Sequence, residues 1–201
     1  NTWKTNRGGD WTTKMQMDYT TQKFVYYFND LERRALPSGG GNTYAIPPTV
    51  TGANILHAFS PDDQNVAYVS GTTLWQTKNL MDATPVWTQI MPTASTIKAV
   101  AVVKNHPNIL AYSANNRIYI SYNALSPSPT FVNYPFPIAI TASGIAISSI
   151  DTNRIFVILN NKIYQSTDGG VSFTDYSGTL PNTAHKSIYL DDYSTNNSLY
   201  V

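Results

Sequence analysis

The chain has 201 residues, of which 42% are hydrophobic and 12% are charged, and its formal net charge at neutral pH is +1. This balance gives no electrostatic reason to expect nucleic acid or an anionic membrane as a partner. The lack of cysteine excludes disulfides, thiolate metal sites and cysteine nucleophiles, and no apolar run approaches the length that spans a membrane, so we expect no membrane insertion.

Short β-prone segments recur along the chain at a nearly constant spacing. One set begins at Leu31, Leu74, Ile118 and Ile163, which lie 43, 44 and 45 residues apart. A second set, most of whose members follow a polar turn, occupies residues 24–26, 66–68, 109–111, 155–157 and 199–201. A third set consists of the aromatic residues Tyr44, Trp87, Phe131 and Phe173, which lie 43, 44 and 42 residues apart. A fixed period of this length indicates a repeat architecture.

Each repeat predicts a four-stranded antiparallel meander. In the clearest copy the inner strand lies near 97–103, the second near 109–113, the third near 117–121 and the outer one near 131–134. The polar residues 105–108 predict the turn between the first two strands. No segment has the long 3.6-residue periodicity of a helix, because even 29–36 occupies a hairpin position in the repeat.

The motif that closes each repeat is clearest at Ser166-Thr167-Asp168-Gly169-Gly170-Val171-Ser172-Phe173. Here the Asp carboxylate can accept bonds from the backbone N–H groups that follow, the glycines permit a tight turn, and the Phe can fold back as an apolar plug. This octapeptide resembles the Asp box, Ser-x-Asp-x-Gly-x-x-aromatic, of sialidase-like, sortilin-like and xyloglucanase-like β-propellers. A first copy carries Asn6, Gly8 and Trp11, and degraded copies occur at 37–44, 77–87 and 121–131.

The resemblance implies an all-β fold, a β-propeller of four-stranded antiparallel blades. Four complete blades, at about 12–48, 49–92, 93–135 and 136–178, lie between a half-blade at 1–11 and another at 179–201, and together they form one propeller domain. The chain is then a piece of a larger propeller, which the usual blade number and the missing start methionine favour. Alternatively, the two half-blades pair and close a five-bladed ring.

Acidic residues are scarce where the resemblance places catalysis. In such propellers the enzymatic face carries the links between blades and the turns between second and third strands, opposite the boxes. The links at 45–54, 91–96, 134–144 and 177–185 contain no Asp or Glu, and the second-to-third turns contain one, Asp30. Glycoside hydrolysis ordinarily needs two carboxylates, so we assign no catalytic residue and favour a non-enzymatic role.

Two classes of propeller enzyme differ in how well they fit this scarcity of acidic residues. A sialidase would require an arginine cluster and a Tyr/Glu nucleophile pair, and because Glu32 is the only glutamate we reject it. A xyloglucanase-like hydrolase stays open, because blades missing from the chain could carry its acids. His57, His106 and His185 share no ligand spacing and Gly39-Gly40-Gly41 is a degraded box, so we expect no metal and no cofactor.

The candidate ligand-binding residues lie on the same face. Tyr134 and Phe136, in a proline-stiffened link, can stack on a sugar ring or a partner side chain, or can instead wedge between adjacent blades. Asn115, Asn116, Asn160 and Asn161 can bond a polyol or a peptide backbone, although Asn also favours tight β-turns. The box residues Ser166, Asp168, Gly170 and Phe173, like Asn6, Gly8 and Trp11, are interpreted as structural.

These features together favour a non-catalytic recognition or scaffold module of a secreted or cell-surface bacterial protein. Its expected partners are a protein or glycan at the cell surface, or other segments or subunits of a larger assembly. Such a module predicts a face of aromatics and amides without paired carboxylates. A fragment of a hydrolase predicts two facing carboxylates, and a structural spacer in an adhesin predicts a sealed axis.

Overall fold

The computed structural model describes the backbone of 15–17, 24–27, 32–35 and 41–43, together with residues 56–92, 96–181, 183, 187–191 and 198–201. In this part of the chain the regular structure is entirely β, and no helix occurs that could cross a membrane. The predicted box with Asn6, Gly8 and Trp11 and the residues Asp30 and His185 lie outside the described residues.

The strands form four four-stranded sheets and a final two-stranded one. Blade 1 contains β1 (Met15–Met17), β2 (Phe24–Tyr27), β3 (Glu32–Ala35) and β4 (Gly41–Thr43). Blade 2 contains β5 (Leu56–Phe59), β6 (Ala67–Ser70), β7 (Thr73–Thr77) and β8 (Trp87–Pro92). Blade 3 contains β9 (Ala99–Val103), β10 (His106–Ala114), β11 (Arg117–Ser121) and β12 (Val132–Pro135). Blade 4 contains β13 (Gly144–Ile147), β14 (Ile155–Leu159), β15 (Lys162–Ser166) and β16 (Thr174–Asp175), and the last hairpin contains β17 (Tyr189–Leu190) and β18 (Leu199–Tyr200).

Within each sheet every strand pairs antiparallel with its neighbour in sequence. The predicted all-β class with four-stranded antiparallel sheets is therefore confirmed. Two second-to-third turns consist of paired asparagines with positive φ, 50° and 56° at Asn115 and Asn116 and 49° and 66° at Asn160 and Asn161. A two-residue hairpin turn of type I′ requires positive φ at both of its central residues, and Asn tolerates this backbone better than most side chains do.

One predicted turn is shorter than expected. The sequence pattern assigned residues 105–108 to the turn between the first two strands of blade 3, but β10 already begins at His106, which pairs with Val103. The register then shifts between His106 and Leu110, so Pro107, which has no N–H to donate, lies in an irregular stretch that tolerates it. The turn itself is Lys104 and Asn105, with φ 63° at Asn105.

The core is divided into layers between neighbouring blades. The inner strands of blades 2, 3 and 4 contact one another in sequence, and β17 contacts β13. One apolar cluster lies between blades 2 and 3 and includes Leu74 and Tyr112, and another lies between blades 3 and 4 and includes Ile118 and Ile155. Among the described strands no contact joins the last hairpin to blade 1, so these sheets do not close a ring.

Candidate functional site

The segment 166–173 of blade 4, which resembles an Asp box in sequence and is called the box below, is held by a compact set of hydrogen bonds. Ser166 Oγ donates to Asp168 Oδ1 at 2.8 Å and accepts the Asp168 N–H at 3.3 Å, while the Ser172 N–H donates to Asp168 Oδ1 at 2.9 Å. Ser172 Oγ also donates to Asp168 Oδ2 at 2.6 Å. The bonds from the Ser172 side chain and backbone, followed by the one from Ser166, lower the pKa of Asp168 to about 2.

The degraded boxes of blades 2 and 3 keep this arrangement although Asn replaces Asp. In blade 2, Thr77 Oγ1 donates to Asn79 Oδ1 at 2.9 Å and accepts the Asn79 N–H at 3.3 Å, and the Val86 N–H donates to Asn79 Oδ1 at 2.8 Å. In blade 3, Ser121 and Asn123 make the equivalent pair, at 3.1 Å and 3.2 Å, and Thr130 supplies the closing N–H at 2.9 Å. The amide oxygen of Asn79 or Asn123 therefore accepts the same hydrogen bonds as the Oδ1 atom of Asp168.

In blades 2, 3 and 4 the box is also tied to the segment that leads from the first strand into the second strand of the same blade. The N–H that follows the Asp or Asn donates to the carbonyl of an asparagine that lies in the turn between these strands in blades 2 and 4, and at the irregular start of β10 in blade 3. The three bonds run from Leu80 to Asn65, from Ala124 to Asn108 and from Gly169 to Asn153, at 3.0, 2.9 and 3.0 Å. This repeated bond places the box at the end of each blade where the first two strands turn.

A cleft of about 260 Å³ lies along the inner strands, and we call it the axial cleft. The walls are mainly small and apolar side chains from blades 2, 3 and 4 and from the last hairpin. They are Ala58, Phe59, Pro61, Val100, Ala101, Val102, Ile145, Ala146, Ile147, Ile188 and Leu190. The polar lining consists of His57, Lys104 and Tyr189, whose side chain is 53% exposed. These described lining residues provide basic and hydroxyl groups and no carboxylate.

The predicted ligand-binding residues lie elsewhere, on the link face. Asn115 and Asn160 are exposed at their turns. Asn116 joins its turn to the following link, because its N–H donates to Thr141 Oγ1 at 3.0 Å, its Oδ1 accepts from the same hydroxyl at 3.0 Å, and its carbonyl accepts the Phe136 N–H at 3.0 Å. Asn161 is half-buried. None of these residues lines the axial cleft.

The two aromatic candidates pack inward to different extents. Phe136 is only 6% exposed and lies edge-on to the box aromatic Phe173, with ring centroids 5.7 Å apart. It therefore fills the space between blades 3 and 4 and presents little surface to solvent. Tyr134 is half-buried and packs against the same cluster. The structure brings neither ring to the axial cleft.

Comparison with known proteins identifies the fold. No protein-family model and no curated protein sequence matches the chain. An ancestral GH74 enzyme is similar in structure, with a TM-score of 0.59 and 14% identity over 78% of this chain and 23% of that one. A functionally unknown protein from Desulfotomaculum acetoxidans DSM 771 is also similar, with a TM-score of 0.63 and 14% identity over 85% of this chain and 59% of the other. GH74 is a β-propeller family. The fold is a β-propeller.

Identities this low concern the fold alone, and the chain spans less than two thirds of either relative. In the propeller the inner strands surround the axis, so the cleft they line is axial. Lys104 and Tyr189 were not predicted from the sequence, and His57 was considered only as a metal ligand, a role that its spacing from the other histidines does not support. The signal that could have found them is position, because inner-strand residues and the ends of inner strands border the axis of a propeller.

The described residues contain no group of three or more His, Asp or Glu side chains that could hold a metal ion. The exposed Asp residues of the first-to-second turns bond backbone N–H groups instead. Asp63 Oδ1 accepts from Asn65 at 2.9 Å, Asp151 Oδ1 accepts from Asn153 at 3.1 Å, and Asp62 Oδ2 accepts from Asn105 of the next blade at 2.7 Å. These carboxylates shape turns and join blades.

Proposed function

We propose that this chain is a recognition module that binds a protein or glycan segment in the axial cleft. The observation that carries the proposal is the open cleft itself, which has apolar walls and three polar side chains, His57, Lys104 and Tyr189. Ligand pockets usually combine apolar residues with a few polar groups, and the lining of this cleft has both. A spacer would instead be expected to have a sealed axis.

The setting of the module is part of the same proposal. The hydrogen-bond pattern shared by Ser166–Asp168, Thr77–Asn79 and Ser121–Asn123 supports an Asp-box repeat type. With the low charged fraction of the chain, this favours a secreted or cell-surface protein. The link face, with Asn115, Asn160 and Tyr134, then provides additional surface for the same partner.

A cleft-filling substitution tests the proposal. The wild-type protein is applied to a glycan array and to an array of purified surface proteins, and every ligand found is titrated against Val100→Trp and Val171→Trp. Val100 lines the axial cleft, whereas Val171 is 54% exposed in the box of blade 4 and lies outside it. We expect Val100→Trp to abolish binding and Val171→Trp to retain it. Equal binding by both variants, or no ligand on either array, would contradict the proposal.

The second candidate function is a glycoside-hydrolase fragment, which the similarity to the ancestral GH74 enzyme favours. Hydrolysis needs an acid and a second carboxylate across the scissile bond. The described lining of the axial cleft contains only His57, Lys104 and Tyr189 as polar side chains, so both acids would have to come from other residues. Release of reducing ends from xyloglucan by the purified chain would establish this candidate over recognition alone.

A further inference from the structure

A second depression lies between blades 2 and 3, far from the inner strands in the repeat, and we call it the inter-blade groove. Its volume is about 330 Å³. Blade 2 supplies one wall and the box loop of blade 3 supplies the other. The lining residues are Gln76, Lys78, Asn79, Val86, Thr88 and Ile90 from blade 2, and Ser126 and Pro127 from blade 3.

The same positions of the next blade form a closed seam. Gln76 and Ile120 occupy equivalent positions of the repeat. In each blade one residue of the third strand, Leu74 or Ile118, pairs with a serine of the second strand. Gln76 and Ile120 each lie two residues after that third-strand residue. By the same count Lys78 corresponds to Tyr122. At the seam between blades 3 and 4, a Cβ added to Gly170 would lie 3.1 Å from Ile120 Cδ1, so the space is already filled.

Three positions of the groove carry a more polar side chain than their counterparts in the next blade. Gln76 occupies the place of an isoleucine, Lys78 that of a tyrosine, and Thr88 that of the outer-strand residue Val132. The Gln76 amide is used within the seam, because Nε2 donates to Tyr68 Oη at 3.0 Å and to the Ala124 carbonyl at 2.9 Å. Thr88 and Lys78 are exposed at the groove.

The charge in the groove comes from Lys78. Its Nζ donates to the Leu125 carbonyl at 2.6 Å, which fixes the ammonium beside the box loop of blade 3. A lysine ammonium has three N–H donors, so two remain for a ligand acceptor. Lys78 is the one charged side chain in the described lining of the groove. The groove is thus complementary to a carboxylate.

The neighbouring strand favours a peptide as the ligand. In the described structure β8 is the outermost strand of blade 2 and pairs only with β7. The free edge of such a strand presents backbone N–H and C=O groups that can pair with an added extended chain. Every second side chain of that chain would lie on the same face as Thr88 and Ile90, which is the groove wall. The described lining contains no aromatic ring on which a sugar could stack.

We propose that the inter-blade groove binds an extended peptide segment of a partner protein, which adds to β8 as a further strand and directs an acidic side chain to Lys78. This site is separate from the axial cleft and does not depend on the function proposed for it, since the two share no lining residue.

Selection from a random library tests the site directly. A phage library of ten-residue random peptides is selected on the immobilised chain, and the enriched peptides are synthesised and titrated by fluorescence polarisation. We expect them to share one acidic residue within a β-prone, proline-free pattern. Replacement of that residue by its amide, and the charge reversal Lys78→Glu in the protein, should each weaken binding by about tenfold or more.

Two further variants keep the outcome tied to the groove. Lys98→Glu makes the same charge change at an exposed lysine that does not line the groove, and it should leave binding unchanged. Thr88→Trp fills the groove without changing charge and should abolish binding, while thermal melting shows that each variant is folded. Enriched peptides without an acidic preference, equal losses in Lys78→Glu and Lys98→Glu, or binding that survives Thr88→Trp would overturn the proposal. Glycan binding that Thr88→Trp removes would overturn the choice of a peptide.

Discussion

The seam between blades 2 and 3 and the seam between blades 3 and 4 use equivalent positions of one repeat but are joined differently. In the first, the Gln76 amide bonds the Ala124 carbonyl at 2.9 Å and a groove remains beside it. In the second, Ile120 is 1% exposed and packs against Gly170. The backbone bond that follows each box is the same in both. The repeat therefore sets the backbone, while a few facing side chains decide whether a seam is sealed or leaves a binding site.

The largest expected effect is loss of packing in the sealed seam. Ile120→Ala removes a fully buried side chain between blades 3 and 4 and should lower the free energy of unfolding by about 3 kcal/mol, because a cavity replaces apolar contacts. Urea denaturation measures this change. Ile150→Ala is the matched control, since that side chain is 65% exposed and should change stability by less than about 0.5 kcal/mol. Equal losses in both variants would contradict the sealed seam.

The strands of both seams were predictable from the sequence because spacing and β-propensity repeat together. The predicted third strand at 117–121 coincides with β11 (Arg117–Ser121), and the box bonds at Asn79 and Asn123 follow from the Ser/Thr-x-Asn start that the degraded copies keep. Hydrogen bonds of this kind join residues that are only a few positions apart, so a short motif is enough to predict them. The prediction of a turn at 105–108 was wrong from His106 onward. Pro107 favours a turn, but in the structure it lies within β10, where the register shifts between His106 and Leu110.

The sites were less predictable because they depend on contacts between blades. Gln76 and Ala124 are 48 residues apart, and the repeat shows that they occupy neighbouring blades but not that an amide and a carbonyl meet there. Phe136 presented the same difficulty, since stacking on a ligand and wedging between blades require the same residue type. The inner strand near 97–103 was predicted from the sequence, yet nothing in that segment indicates that the inner strands leave a cleft.

The second prediction concerns the glycine that faces Ile120. Gly170 has φ 94°, a conformation in which a Cβ is strained, and Gly170→Ala should lower the free energy of unfolding by about 2 kcal/mol. Ile120→Val removes the Cδ1 atom that the new Cβ meets, so the double variant should lose less than the sum of the single ones. Gly71→Ala has open space around the new Cβ and is the control, with little change expected. If the double variant loses the full sum of the two single losses, the contact between the new Cβ and Ile120 Cδ1 does not contribute to the destabilisation.

The third prediction concerns a substitution that makes the seam between blades 2 and 3 more like the apolar seam between blades 3 and 4. Gln76→Leu leaves the buried Ala124 carbonyl without the Nε2 donor and should cost about 1–2 kcal/mol of folding free energy, even though an apolar side chain is gained. Burial raises the pKa of Tyr68 to about 12, and the bond from Gln76 opposes that rise, so the variant should raise the Tyr68 pKa further. Absorbance titration of the tyrosines against wild type measures the second effect. An unchanged Tyr68 pKa together with unchanged stability would show that the amide bonds contribute little.

The smallest effect is expected when the blade 4 box is made like its neighbours. Asp168→Asn keeps the Oδ1 acceptor that Asn79 and Asn123 use in blades 2 and 3, and loses only the Ser172 Oγ bond to Oδ2, so stability at pH 7 should change little. Asp168→Ala removes both acceptors and should cost more. If both variants are equally destabilised at pH 7, the side-chain oxygen of the box is not what closes the loop.

The pH dependence separates the carboxylate from the amide. The pKa of Asp168 in the folded chain is about 2, below the ordinary 3.8, so its contribution to stability is present above pH 4 and is lost as the pH falls through 2. Because the group is exposed, the amplitude is reduced by solvent and salt. Wild type should therefore lose more stability than Asp168→Asn between pH 4 and pH 2, as followed by thermal melting at low ionic strength. Parallel curves would mean that the bonds from Ser172 do not favour the ionised form, and that Asp and Asn are interchangeable in this box at every pH.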